Sequence, residues 1–155
     1  MRLISLLLLR LSLGAMFFYA GITKVLDPNW SAAFYLQGAK TFPGFYNFLM
    51  DPSILPTINF INEWGLTIIG LFLILGIFVR ISGIAGAIFM FLYYLPNLDG
   101  FYPNAHAVIV DEHIVYIAAF LTLAAFRAGR VFGLEKWCSQ LPICSRFPKL
   151  RALLG

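Results

Sequence analysis

Four apolar runs near the length that a bilayer demands, at about residues 3–22, 60–79, 81–96 and 107–126, constrain this chain more than anything else in it. A membrane-spanning helix needs about 20 predominantly apolar residues. In hydrocarbon every backbone polar group must find its partner within the chain, which leaves helices as the natural solution for runs of this kind. The pattern therefore predicts an all-α fold, a four-helix transmembrane bundle. Composition agrees: 61% of the residues are hydrophobic, 12% are charged and mean hydropathy is +0.85, against about 25% charged in a soluble domain. With 155 residues, one membrane domain over 1–135 is expected, followed by a basic amphipathic tail over 136–155 held at the inner surface. The first run lacks an Ala-x-Ala-like cleavage site and is read as a retained helix rather than a signal peptide.

Charge sorts to one side of these spans. With a cytoplasmic amino terminus, Arg2, Arg10, Arg80, Arg127, Arg130, Lys136, Arg146, Lys149 and Arg151 fall inside, and only Lys24 and Lys40 outside. Six of the seven acids lie outside, with Glu135 the exception. By the positive-inside rule this predicts both termini in the cytoplasm of a multi-pass protein of the plasma (inner) membrane. The net charge of +4 is thus a topology signal. Lipid is the implied partner, and nucleic acid is not.

The connections differ in kind. Between the second and third spans the sequence leaves only Val79-Arg80-Ile81-Ser82 for a turn, which predicts a tight helical hairpin. The first connection, 25–59, is long, aromatic and punctuated by Pro28, Pro43, Pro52 and Pro56. Amphipathic rings suit the headgroup zone, so short interfacial helices are expected over 31–40 and 44–49. The stretch 97–104 reads as a turn. Small residues four apart, Ser82 with Gly86 and Gly83 with Ala87, together with Gly14, Gly21, Gly65, Gly70 and Gly76, predict close helix approach.

Candidate chemistry gathers at the outer end. Counting 20 residues back from Phe126 and Val79 draws Asp111, Glu112, His113, Asn62 and Glu63 below the membrane surface, where ionisable groups are costly unless partnered. His113 and Tyr116 share a helix face, as do Asn59, Glu63 and Thr67, and Tyr19, Thr23 and Asp27, with Lys24 adjacent. Two readings stand side by side. In one, Lys24, Asp27, Glu63, Asp111, Glu112 and His113 cap helix ends at the water boundary. In the other, these residues with Tyr116 form a polar pocket, lined by aromatics of the first connection, for the head of a quinone or another small amphiphile. Arg10, eight residues into the first span, is expected to snorkel to the inner surface, the alternative being an inward turn to backbone carbonyls, hydroxyls or lipid phosphate.

No bound redox centre is evident. Cys138 and Cys144 lack Cys-x-x-Cys spacing and read as free thiols. His106 and His113 belong to one segment, whereas haem wants opposed histidines, and their spacing is poor support for a metal site. Gly-rich phosphate loops, nucleophile elbows and flavin fingerprints are missing from the sequence.

Leu9-Arg10-Leu11-Ser12-Leu13-Gly14 followed by Phe17-Phe18-Tyr19-Ala20-Gly21-Ile22-Thr23-Lys24 resembles the opening helix of the DoxX family of small membrane proteins. Glu63-Trp64-Gly65 leading to Leu75-Gly76-Ile77-Phe78-Val79-Arg80 resembles its second helix, and Asp111-Glu112-His113 with Ala128-Gly129-Arg130 its fourth. The likeness spans about 9–134, and the branch it suggests holds the membrane subunit of thiosulfate:quinone oxidoreductase. That resemblance implies a four-helix bundle delivering electrons from a reduced sulfur donor to quinone, with another protein subunit carrying the redox chemistry. A non-catalytic accessory subunit stabilising a larger respiratory or transport complex is the alternative. A proton or small-molecule pathway through the bundle ranks last, because the inner half offers only Arg10 as a polar relay.

Overall fold

The computed structural model describes residues 1–135. The tail, with Cys138 and Cys144, lies outside the described residues. The chain folds as a helical membrane bundle of α1 (Arg2–Leu26), α4 (Leu55–Leu75), α5 (Val79–Asn97) and α6 (Glu112–Ala125). Two short helices, α2 (Ala33–Gln37) and α3 (Pro43–Leu49), lie in the first connection, and a 3₁₀ turn covers Ala128–Arg130. Three helices, α1, α4 and α5, are long and apolar enough to cross a membrane. At 1.5 Å per residue, α6 is only about 21 Å long against a hydrocarbon core of about 30 Å.

The fourth helix thus starts at Glu112 and not near 107. Asp111 is its N-cap: Oδ1 accepts from the backbone N–H of His113 at 3.0 Å and of Ile114 at 3.3 Å. Before it, 98–110 is irregular, with Ile109 at φ 61° and isolated bridges pairing Asp99 with Tyr102 and Asn104 with Ala107. Side-chain capping and a β-branched Val-Ile-Val run outweigh the hydropathy of residues 107–110. Asp111, Glu112 and His113 therefore stand at the cap and in the first turn of α6, not a turn inside a helix that begins near 107.

The second connection is also displaced. Gly76 takes the left-handed conformation (φ 66°), its N–H bonds Leu73 O at 3.2 Å, and the Ile77 N–H reaches Phe72 O at 3.0 Å. These are the bonds of a helix ending on a C′ glycine. The turn is therefore 76–78, and Val79–Ser82 already belongs to α5. Nor do α4 and α5 make the main hairpin contact: α1 packs most extensively on α4, and α5 on α6. Lipid offers no hydrophobic drive for helix association, so backbone approach at small residues decides the pairs. A Cβ on Gly70 would fall on the backbone of Phe18, and one on Gly86 would stand 2.5 Å from the Phe120 ring. Leu13, Phe17, Leu73, Met90, Phe120 and Leu123 fill the core between the pairs, with Phe17 and Phe120 edge to face at 4.8 Å.

Arg10 turns inward. It is 1% exposed, and its guanidinium donates from Nη1 to Ala128 O at 2.7 Å and Val131 O at 2.9 Å, and from Nη2 to Phe132 O at 3.4 Å. Snorkelling is displaced because 126–135 folds back over this end of the bundle, Leu134 N bonding Leu75 O at 3.1 Å and Glu135 N bonding Gly76 O at 3.0 Å. Ala128 O also accepts from the Val131 N–H at 3.2 Å, and one charged donor reaches it together with the carbonyls of Val131 and Phe132.

Candidate functional site: an aromatic cleft between α4 and α5

Where α4 and α5 part at the loop end, a cleft of about 550 Å³ remains, roofed by α2 and α3. Its walls are Ile58, Ile61 and Asn62 of α4 and Ile88, Phe89, Leu92 and Tyr93 of α5, with Lys24 of α1 at the inner edge. Trp30, Tyr35, Leu36, Phe45 and Tyr46 close it from the first connection. Ile61, Ile88 and Leu92 are also exposed on the bundle surface, so the mouth faces the acyl chains of the bilayer.

Local chemistry explains the roof. The interfacial helices are Ala33–Gln37, shorter than the expected 31–40, and Pro43–Leu49, beside the expected 44–49, and side-chain bonds tie them to α4 and α5. Asn59 Oδ1 accepts from the Ala32 N–H at 2.9 Å, pinning the start of α2 to α4. On α5, Pro96 has no N–H to give the carbonyl of Leu92 four residues back. The Tyr46 hydroxyl donates to that carbonyl at 3.3 Å. Next to it, the Tyr35 hydroxyl donates to Tyr93 O and accepts from Asn97 Nδ2 at 2.8 Å. Burial pushes the Tyr35 phenol well above its usual range, with the Asn97 hydrogen bond opposing, so it stays a neutral donor.

Polar groups converge at the inner edge. Among the described residues that line the cleft, Lys24 alone is charged. Its Nζ lies 5.2 Å from the Trp30 ring centre and 5.8 Å from that of Tyr93. Cation–π contact holds an ammonium without consuming its hydrogen-bond donors on a carboxylate. Opposite, the Tyr93 hydroxyl donates to Asn62 Oδ1 at 2.5 Å, and Asn62 Nδ2 donates to Ile58 O at 2.9 Å. The cleft can thus take an apolar, planar head that accepts hydrogen bonds, with a tail left in lipid.

The sequence-derived candidates are only partly brought together. Lys24 lines the cleft; Asp27, Glu63, Asp111, Glu112, His113 and Tyr116 do not. Asp27 is exposed and accepts from the Asn29 N–H at 3.0 Å. Glu63 is half-buried on α4, and its backbone carbonyl accepts from Thr67 Oγ1 at 2.7 Å. Tyr116 packs its ring against Phe17 at 6.4 Å, in the core. Asp111 is buried and bonds His113 Nδ1 through Oδ2 at 2.8 Å, while Glu112 is exposed. These three can bring one ligand atom each within 4.8 Å of one another, but both Asp111 oxygens are already engaged in capping and in the His113 bond. His106 sits in the preceding loop and does not continue the His113 face. Tyr93 lies inside the apolar run 81–96 and Asn97 opens the turn that follows, so neither stands out in the sequence; Pro96, which frees the Leu92 carbonyl, is the available signal.

Residues 5–95 match the DoxX family. The chain belongs to the DoxX family. The match runs into the last turn of α5 and so contains every residue that lines the cleft, whereas 111–134, whose short patterns also resemble the family, fall beyond it. Neither a curated protein nor a solved structure matches the chain. As a DoxX-family helical membrane protein, it is in contact with lipid.

Proposed function

We propose that this DoxX-family protein is the membrane subunit of a quinone-linked oxidoreductase of the thiosulfate:quinone type, and that the α4–α5 cleft holds the quinone head. The observation that carries the proposal is the cleft itself: about 550 Å³, lipid-facing, aromatic, with Lys24, Tyr93 and Asn62 at its inner edge. A quinone ring stacks among Trp30, Tyr35 and Phe45 while its isoprenoid tail leaves past Ile61 and Ile88. The Lys24 ammonium donates to one quinone carbonyl oxygen, where negative charge develops as electrons arrive. Quinone takes up two electrons and two protons to become quinol; the electrons come from a reduced sulfur donor through a redox centre on a partner subunit. Charge asymmetry supports a plasma-membrane topology with both termini cytoplasmic and the cleft near the outer face.

The test is quinone content and donor-to-quinone activity of the complex purified from native membranes. Lys24→Met, which keeps length and apolar packing, is expected to lower both by tenfold or more, the equivalent of about 1.4 kcal/mol. Wild-type values in that variant would leave the accessory, non-catalytic subunit as the better reading.

A further inference from the structure

At the opposite end of the bundle, a second and smaller cavity of about 320 Å³ lies between α5 and α6, lined by Arg80, Ile84, Ala124, Ala125 and Arg127. Arg80 stands in the first turn of α5, whose N-terminus no side chain caps, and Arg127 follows the C-terminus of α6 with φ 49°. Two arginines thus border one crevice, whose other lining residues are Ile84, Ala124 and Ala125. Ile84 is 48% exposed, on the surface of a helix that crosses the membrane. Among the described residues, this end carries Arg2, Arg10, Arg80, Arg127 and Arg130 against the single acid Glu135, which is itself buried beside Arg10 and Arg130. Among the described residues this end is therefore net positive, the charge that an anionic headgroup seeks.

We infer that the crevice is a binding site for the phosphate of an anionic phospholipid. Arginine suits this role: its planar fork offers two parallel N–H bonds to phosphate oxygens. Basic pockets between transmembrane helices are established seats for such headgroups. The apolar wall of Ile84, Ala124 and Ala125 selects a phosphate that arrives with an acyl chain over one that is free in solution. The site is separate from the quinone cleft and does not depend on it.

The probe is phosphatidylglycerol, titrated into delipidated full-length protein in mild detergent and read by native mass spectrometry, with phosphatidylcholine as the uncharged-headgroup reference. Wild type is expected to retain phosphatidylglycerol in preference to phosphatidylcholine, and 10-fold molar excess inorganic phosphate is not expected to displace it. Arg80→Gln with Arg127→Gln should weaken retention at least fivefold, while Arg2→Gln, at the same end, leaves it unchanged. Ile84→Trp keeps both charges but fills the crevice, and should lower retention as well, which keeps the test open if the double variant folds poorly. Equal retention in wild type, the double variant and Ile84→Trp would overturn the assignment. So would displacement by inorganic phosphate with no preference for phosphatidylglycerol.

Discussion

Arg10 and Ala128 stand 118 residues apart in sequence and 2.7 Å apart in space, joined by a buried bond from the guanidinium to the backbone carbonyl. The contact ties the first helix to the segment that follows the last, and it closes the end of the bundle opposite the cleft. Bonds from charged donors contribute about 1.5–3 kcal/mol each, and removing the guanidinium takes its bonds from three carbonyls at once. Arg10→Met should therefore destabilise the folded protein by on the order of 3 kcal/mol. Thermal unfolding in detergent, compared with Arg2→Met, measures this; equal midpoints for the two variants would mean that the buried bonds contribute nothing.

Glu135 gives this end a pH dependence. Burial pushes its carboxyl up from 4.5 to about 7, against the attraction of Arg130, Arg127 and Arg10. The native state thus holds a proton that the unfolded chain releases at lower pH. Stability is kept in full below about pH 4.5, falls as pH rises toward 7, and levels off above it. Glu135→Gln should remove that slope and gain on the order of 1–3 kcal/mol at pH 8. Unfolding midpoints at pH 5, 6, 7 and 8 for both proteins decide the matter, and parallel curves would refute it.

Close approach at glycine predicts a third outcome. A Cβ on Gly70 meets the backbone of Phe18, which cannot yield without parting α1 from α4. Gly70→Ala is expected to cost ~1–3 kcal/mol in detergent. Gly44→Ala, with nothing within 4 Å, should be neutral. Indistinguishable midpoints would remove small-residue packing as the reason for the α1–α4 pair.

The orientation proposed from the charge split has a direct test. In a background with Cys138 and Cys144 replaced by serine, a cysteine at Gly100 should react with a membrane-impermeant reagent on intact cells, and one at Leu134 should not. Reaction at Leu134 alone would invert the topology.

Hydropathy makes the spans legible in the sequence, and the long aromatic connection announces the short helices that lie over the end of the bundle. Where a side chain meets the backbone, the pattern was silent. The start of α6 depends on Asp111 binding two N–H groups, the end of α4 on one left-handed glycine, and the inward turn of Arg10 on carbonyls 118 or more residues away. None of these leaves a trace in a hydropathy window. Among the sequence candidates Lys24 lines the cleft, and a cation near a helix end stands out in an apolar chain. Tyr93 and Asn97 do not stand out, since both meet Tyr35 of a roof helix about sixty residues earlier in the chain.

The most direct measurement is where a photoreactive quinone analogue attaches. Cross-linked in native membranes and mapped by peptide mass spectrometry, it should label 24–36, 45–49, 58–62 or 88–93, the segments that line the cleft, and labelling should fall at least tenfold in Lys24→Met with Asn62→Leu. Labelling confined to 111–116, around Asp111, His113 and Tyr116, or labelling unchanged in that double variant, would contradict a quinone site between α4 and α5.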